Sequence, residues 1–274
     1  MDEKTKQTGT PRIIAVVNQK GGVGKTTTSV NLATALAAVR KKVLLIDFDP
    51  QGNASTGLGL EHGKRSITSY DLIINNASVG EGVQKTAVPH LDILPANMDL
   101  SGAEIELVSL VRREFRLKDA LVRASLYYDY ILIDCPPSLG LLTVNALTAA
   151  AAVLIPLQCE FYALEGLSHL LKTVELVKNA LNPTLSIQGI VLTMYDKRNR
   201  FTDHIESDVR GYFKEQVYET VIPRNVRMSE APSHGKPALI YDIDCAGSRA
   251  YIKLASELLK RERAGQRQRL AETA

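Results

Sequence analysis

Lys20-Gly21-Gly22-Val23-Gly24-Lys25-Thr26-Thr27 follows the apolar run Ile13-Ile14-Ala15-Val16-Val17 and precedes a helix-like run over 28–39. Strand, glycine-rich loop and helix in that order make a phosphate-binding loop. Glycines let successive backbone N–H groups turn toward one point, and the helix N-terminus adds partial positive charge there. In such a loop Lys25 reaches the β- and γ-phosphates of a nucleotide and the Thr26 hydroxyl ligates Mg²⁺. Gly21, Gly22, Val23, Gly24 and Thr27 complete the cradle. The usual pattern opens with Gly five residues before the Gly-Lys pair. Here that place is held by Gln19, and a second lysine, Lys20, follows it.

The chain around this loop has 274 residues, 45% hydrophobic and 23% charged, the composition of an ordinary globular protein. A net charge of +3 does not by itself argue for nucleic acid. Cys135, Cys159 and Cys245 are scattered, with no C-x-x-C, so reduced thiols are the simplest reading. No apolar stretch reaches transmembrane length, and no signal-peptide core is visible.

Apolar runs and helical periodicities alternate along the sequence. Strands are expected at 12–18, 43–47, 91–94, 130–134, 153–157, 187–194 and 217–222. Helices are expected at 24–40, 67–75, 100–111, 115–126, 162–181, 203–213 and 247–263, with a glycine-rich loop at 49–63 and the end of a buried helix near Ala146. Uninterrupted apolar strands suit a parallel sheet covered on both faces. The predicted fold is α/β: one doubly wound domain over 12–263, its mostly parallel sheet flanked by helices, with a polar leader (1–11) and a basic tail (264–274).

Two more segments carry chemistry. Asp47 and Asp49 close the strand Leu44-Leu45-Ile46, at the carboxyl end where open α/β sheets bind ligands. A carboxylate there can orient an attacking water or hold a Mg²⁺-bound one. Tyr130-Ile131-Leu132-Ile133-Asp134 is a hydrophobic strand ending in the carboxylate that binds Mg²⁺ in P-loop enzymes, and Cys135-Pro136-Pro137-Ser138 gives it a stiff exit. The segment 220–227 leaves another strand at its carboxyl end, where a base could be sandwiched, but is uninformative alone.

Taken together, K-G-G-V-G-K-T-T at 20–27, D-F-D-P-Q-G-N at 47–53, L-S-G-A-E-I-E-L at 100–107, D-C-P-P-S at 134–138, T-M-Y-D at 193–196 and I-P-R-N-V-R-M-S-E-A-P-S at 222–233 resemble the ParA/Soj chromosome-partition branch of the deviant Walker A P-loop ATPases. The resemblance spans roughly 12–260. It implies an ATP-dependent homodimer in which two protomers face each other across two ATP molecules, with Lys20 crossing to the partner's phosphates. It implies catalytic roles for Lys20, Lys25 and Asp49, with Asp49 positioning the hydrolytic water. Thr26 and Asp134 would hold Mg²⁺, and Pro223 and Asn225 would contact adenine. It also implies non-specific double-stranded DNA binding through Arg198 and Arg227, slow ATP hydrolysis to ADP stimulated by a ParB-type centromere-binding protein, and a cytoplasmic, nucleoid-associated location without membrane; Lys236, which follows Arg224 and Arg227 closely, is a further candidate DNA contact by its local basic setting.

Three other readings stay open at this level. A MinD-like membrane-associated positioning ATPase needs a C-terminal amphipathic helix, yet Leu270 is the only large apolar residue after Leu259. A metal-cluster reductase needs cysteines that bridge a cluster between protomers, and one Cys135 per protomer supplies only two of four ligands. A non-hydrolysing nucleotide switch fits poorly with an intact Lys20 and Asp49.

Overall fold

The computed structural model describes residues 10–122 and 127–272. The expected leader therefore lies outside the described residues except for Thr10 and Pro11, as does the end of the helix expected over 115–126.

The order of elements is β1 (Arg12–Val16), α1 (Lys25–Ala38), β2 (Val43–Asp47), α2 (Asn53–Gly57), α3 (Ser69–Ile73), α4 (Val79–Gly82), β3 (Gln84–Lys85), β4 (Leu91–Leu94), α5 (Leu100–Glu106), α6 (Arg116–Leu121), β5 (Tyr130–Asp134), α7 (Leu141–Ala149), β6 (Ala152–Gln158), α8 (Ala163–Ala180), β7 (Ser186–Thr193), α9 (Arg200–Phe213), α10 (Val226–Glu230), α11 (Ala238–Tyr241) and α12 (Ala246–Glu272). The strands form one sheet in the order β3-β4-β2-β5-β1-β6-β7. All its pairings are parallel except β3 with β4, so this is the doubly wound architecture the sequence predicts.

The apolar strands serve two cores at once. Ile131 and Ile133 of β5 face a cluster completed by α3, α5, α7 and α8, while Tyr130 and Leu132 face one completed by α1 and α12. Residues on both faces of β2 and β5 are buried, which is why these strands read as continuous hydrophobic runs. Each fully buried Leu or Ile contributes about 1.5–3 kcal/mol relative to exposure.

The strand expected at 217–222 does not form. The segment runs beside β7 and meets it at an isolated bridge, Ile190 with Val217, with a second bridge just past both, Tyr195 with Pro223. Between them the N–H groups of Glu219 and Thr220 donate to the Glu257 carboxylate of α12, at 2.9 and 3.0 Å, instead of to the sheet. The Tyr218 ring also occupies the space beside Gly189, whose φ is +151°; a Cβ there would lie 2.5 Å from the ring.

Other boundaries shift for local reasons. The 49–63 loop contains α2. Helix α5 stops at Glu106 and passes into a 3₁₀ turn, Leu107–Ser109. Helix α12 runs past Arg263 to Glu272 through residues that are, Gly265 apart, good helix formers, with no proline.

Candidate phosphate-binding site

The strand ends bring the chemistry together. In register, Asp134 pairs with Val16 on one side and Asp47 on the other, so the loop after β1 emerges beside both carboxylates. Within that loop Gly22 (φ +76°) and Gly24 (φ +86°) occupy the left-handed region that side chains disfavour, and Gly24 is the N-cap of α1. Two tethers hold the loop. Thr193 Oγ1 donates to the Val23 carbonyl at 2.8 Å, and the Lys20 N–H donates to Asn18 Oδ1 at 3.0 Å.

Lys25 opens α1. Its ammonium folds back across the loop and donates to the Lys20 carbonyl at 2.9 Å. Burial lowers its pKa, opposed by the nearby Asp134 and Asp49 carboxylates. A buried ammonium held over a ring of backbone N–H groups is a receptor for a multiply charged anion.

Asp134 is fully buried. Ser29 Oγ donates to its Oδ1 at 2.8 Å, while Oδ2 is buried with no hydrogen-bond partner. Burial first, then the neighbouring Asp47, push its pKa up to about 7, with the hydroxyls of Thr26 and Ser29 opposing. A buried carboxylate oxygen lacking a partner, beside a threonine hydroxyl, is a donor set that fits a hard cation such as Mg²⁺. Cys135 next to it is wholly buried with its thiol toward the Ile133 carbonyl.

The two carboxylates after β2 divide their roles. Asp47 accepts the Ser55 N–H and hydroxyl at 2.8 and 2.6 Å and so anchors the loop that carries α2; burial raises its pKa to about 6. Asp49 is also buried and accepts the Gln51 N–H at 3.0 Å, close enough to Lys25 to oppose, after Asp134, the lowering of that lysine's pKa by burial. Sequence reasoning missed Ser29 and Ser55, because neither hydroxyl belongs to a recognisable motif and each finds its carboxylate only through the fold.

Lys20 stands apart from this cluster. Its ammonium is half-exposed and ion-paired with Glu160, just beyond β6. Beside Glu160 the rings of Phe161 and Tyr162 are exposed, and Phe161 stacks on Phe201 with centroids 6.5 Å apart.

The remaining candidates lie further out. Pro223 lines a cleft of about 770 Å³ with Tyr195, Lys197 and Arg249. The Asn225 side chain caps α10, accepting the Arg227 N–H at 2.9 Å. Lys236 borders a small recess shared with Thr26, Thr27 and Asn53. Arg198 is exposed and grips Asp196 through two 2.9 Å bonds, holding that carboxyl down to about 2. Arg227 pairs with Glu230 at 2.9 Å and Asp242 at 3.5 Å. The segment carrying Arg198 and the one leading into α10, which carries Arg227, are joined where the Arg224 N–H donates to the Tyr195 carbonyl.

Comparison with known proteins gives the following. A family model described as an AAA domain matches residues 11–187. The chain is 60% identical over 254 residues to the chromosome partitioning protein ParA of Caulobacter vibrioides (strain NA1000 / CB15N), covering 92% of this chain and 95% of that protein. It is 56% identical over 247 residues to the sporulation initiation inhibitor protein Soj of Bacillus subtilis (strain 168), covering 90% and 98%. Among solved structures it is similar to cobyrinic acid a,c-diamide synthase from Mycobacterium smegmatis with bound ADP and magnesium, with a TM-score of 0.82 at 36% identity over 93% and 96% of the two chains.

Proposed function

Since this chain belongs to the ParA/Soj family of chromosome-partitioning P-loop ATPases, we propose that it is an ATP-driven DNA-partitioning switch. ATP binding joins two protomers, the joined surface holds DNA without reading its sequence, and hydrolysis stimulated by a ParB-type partner releases it. The observation that carries this reading is the division of labour between two lysines. Lys25 is buried over the loop, whereas Lys20 is held to the loop by its backbone and keeps its ammonium half-exposed in an ion pair with Glu160.

In this reading Lys25 and the backbone N–H groups of 21–27 hold the β- and γ-phosphates. Thr26 and Asp134 hold Mg²⁺, which supplies positive charge at those phosphates. Asp49, fixed by its bond from Gln51, orients the attacking water. Lys20 leaves Glu160 and meets the phosphates bound by the other protomer. Pro223 and Asn225 flank the adenine. Arg198, Arg227 and Lys236 meet DNA phosphates; the carboxylates now paired with the two arginines are exposed enough to be exchanged for phosphate at little cost.

The test is DNA binding against salt with ATP, with ADP and without nucleotide. Binding that needs ATP, ignores sequence and weakens log-linearly with salt fits the proposal. Equal binding in all three states refutes it.

A further inference from the structure

The loop that carries Asp49 leaves the sheet after Asp47 and contains no strand before β3, so side chains must set its shape. Asp47 holds it at Ser55. Arg65, just after the 3₁₀ turn His62–Lys64, holds most of the rest. This arginine is buried, at 6% exposure. Burial lowers its pKa, opposed by the Asp47 carboxylate, and a guanidinium keeps its charge through such a shift.

Four bonds leave the guanidinium. Nε and Nη2 donate to the Leu60 carbonyl at 3.2 and 2.7 Å, and Nη1 donates to the Ala96 carbonyl beyond β4 at 2.9 Å. Nη2 also donates to Thr56 Oγ1 at 2.8 Å. That hydroxyl passes the contact on, donating to the Gly52 carbonyl at 3.1 Å, and the Gly52 N–H donates to the Asp49 carbonyl at 2.9 Å. The turn closed in this way is the one in which the Asp49 carboxylate accepts the Gln51 N–H. Gly52 also packs directly on the arginine. Its φ is +64°, and a Cβ there would collide with Arg65 Nη1 and stand 2.9 Å from the Ala96 carbonyl oxygen. The helix that Gly52 caps reaches the phosphate loop, where Asn53 and Gly57 border a recess with Thr26 and Thr27. An apolar side chain could fill the space under Gly52, but only a planar fork holds Leu60, Ala96 and Thr56 at fixed angles at once.

We propose that Arg65 is a positioning residue for ATP hydrolysis: through Thr56 and Gly52 it fixes the turn that aims the Asp49 carboxylate at the attacking water. This inference rests on the reading of Asp49 as the group that orients that water. Arg65 acts through the turn and not on the phosphates. An attacking water must lie in line with the bond that breaks, so a displacement of about 1 Å costs on the order of a hundredfold in rate. The phosphate cradle of 20–27 does not depend on this chain of bonds, so ATP affinity is kept.

The experiment measures ATP hydrolysis against ATP concentration with Mg²⁺, with ATP-dependent dimerisation followed by sizing. The variants are Thr56→Val, Thr56→Ser, Arg65→Lys, Thr56→Val/Arg65→Lys and Asp49→Ala. Thr56 is exposed, and valine keeps its shape while removing the hydroxyl. Thr56→Val lowers kcat on the order of tenfold, with KM and the ATP dimer unchanged, and Thr56→Ser restores the rate. Arg65→Lys keeps the charge without the fork and loses at least as much. The pair loses no more than Arg65→Lys alone, because both substitutions cut one chain. If Arg65→Lys does not fold, the comparison of valine with serine at position 56 decides.

A wild-type kcat in Thr56→Val beside an inactive Asp49→Ala overturns the proposal. So does a loss confined to KM, because the loop then shapes the nucleotide pocket, and so does loss of the ATP dimer. Thr56→Ser as impaired as Thr56→Val overturns it too, as do additive losses in the pair. An Asp49→Ala protein that hydrolyses ATP at the wild-type rate removes the water-orienting reading itself, and this inference with it.

Discussion

Asp134 is the residue whose charge depends most on what fills the site. Burial and Asp47 hold its pKa near 7 and burial holds that of Asp47 near 6, both above the roughly 3.9 of a free aspartate. Between about pH 4 and about pH 7 the folded protein therefore binds more protons at these two groups than the unfolded chain does. Their contribution to stability is fully present at the acid end and is lost as pH rises through the folded pKa values. Asp134→Asn removes one of the two titrations. In thermal unfolding without nucleotide or metal, the variant should gain on wild type steadily as the pH is raised from 5 to 8. A difference in Tm that stays constant over that range would show that burial of the charged form costs the fold nothing.

At the scale of elements, the edge of the sheet beyond β7 depends on a side chain in place of a strand. Glu257 takes the N–H groups of Glu219 and Thr220 and is steadied by Arg261 at 2.8 Å. Glu257→Ala leaves both donors without that acceptor and should lower stability by about 1–3 kcal/mol, read as a shift of the denaturant midpoint. An unchanged midpoint would mean that water replaces the carboxylate freely. The same contact explains what the sequence hides. Strands β2, β4 and β5 have the bounds their apolar runs predict, because burial on both faces writes them directly into local composition. The 217–222 run has a comparable composition, and its Tyr218 and Ile222 N–H groups do donate to β7, but a glutamate some forty residues later takes the two N–H groups between them. Helix α7 was legible only at its end, since it is apolar on nearly every side and has no amphipathic period. In the site, Lys25, Thr26 and Asp134 could be read because the first two open a helix behind a glycine-rich loop and the third closes a strand, each within a local pattern. The Ser29 bond to Asp134 and the Lys20 pair with Glu160 join residues 105 and 140 positions apart, and no local pattern records such contacts.

For the whole molecule the question is what Lys20 does outside its own protomer. Two of its three anchors are backbone atoms: its N–H donates to Asn18 and its carbonyl accepts from Lys25. Lys20→Ala keeps both, so the phosphate loop and Lys25 should hold their places and ATP should still bind. The third anchor is the half-exposed ion pair with Glu160, a kind of contact worth at most about 1 kcal/mol. Two roles for the ammonium then give opposite results. If Lys20 serves by tying the loop to Glu160, Glu160→Gln should reproduce the defect of Lys20→Ala. If Lys20 serves by reaching the phosphates of a second protomer, Lys20→Ala should remain monomeric in ATP while Glu160→Gln still dimerises, because removing the acid only frees the lysine. We expect the second pattern, measured by sizing at saturating ATP and Mg²⁺ after nucleotide affinity has been matched. Dimerisation of Lys20→Ala at wild-type concentrations would remove the crossing lysine from the proposed mechanism.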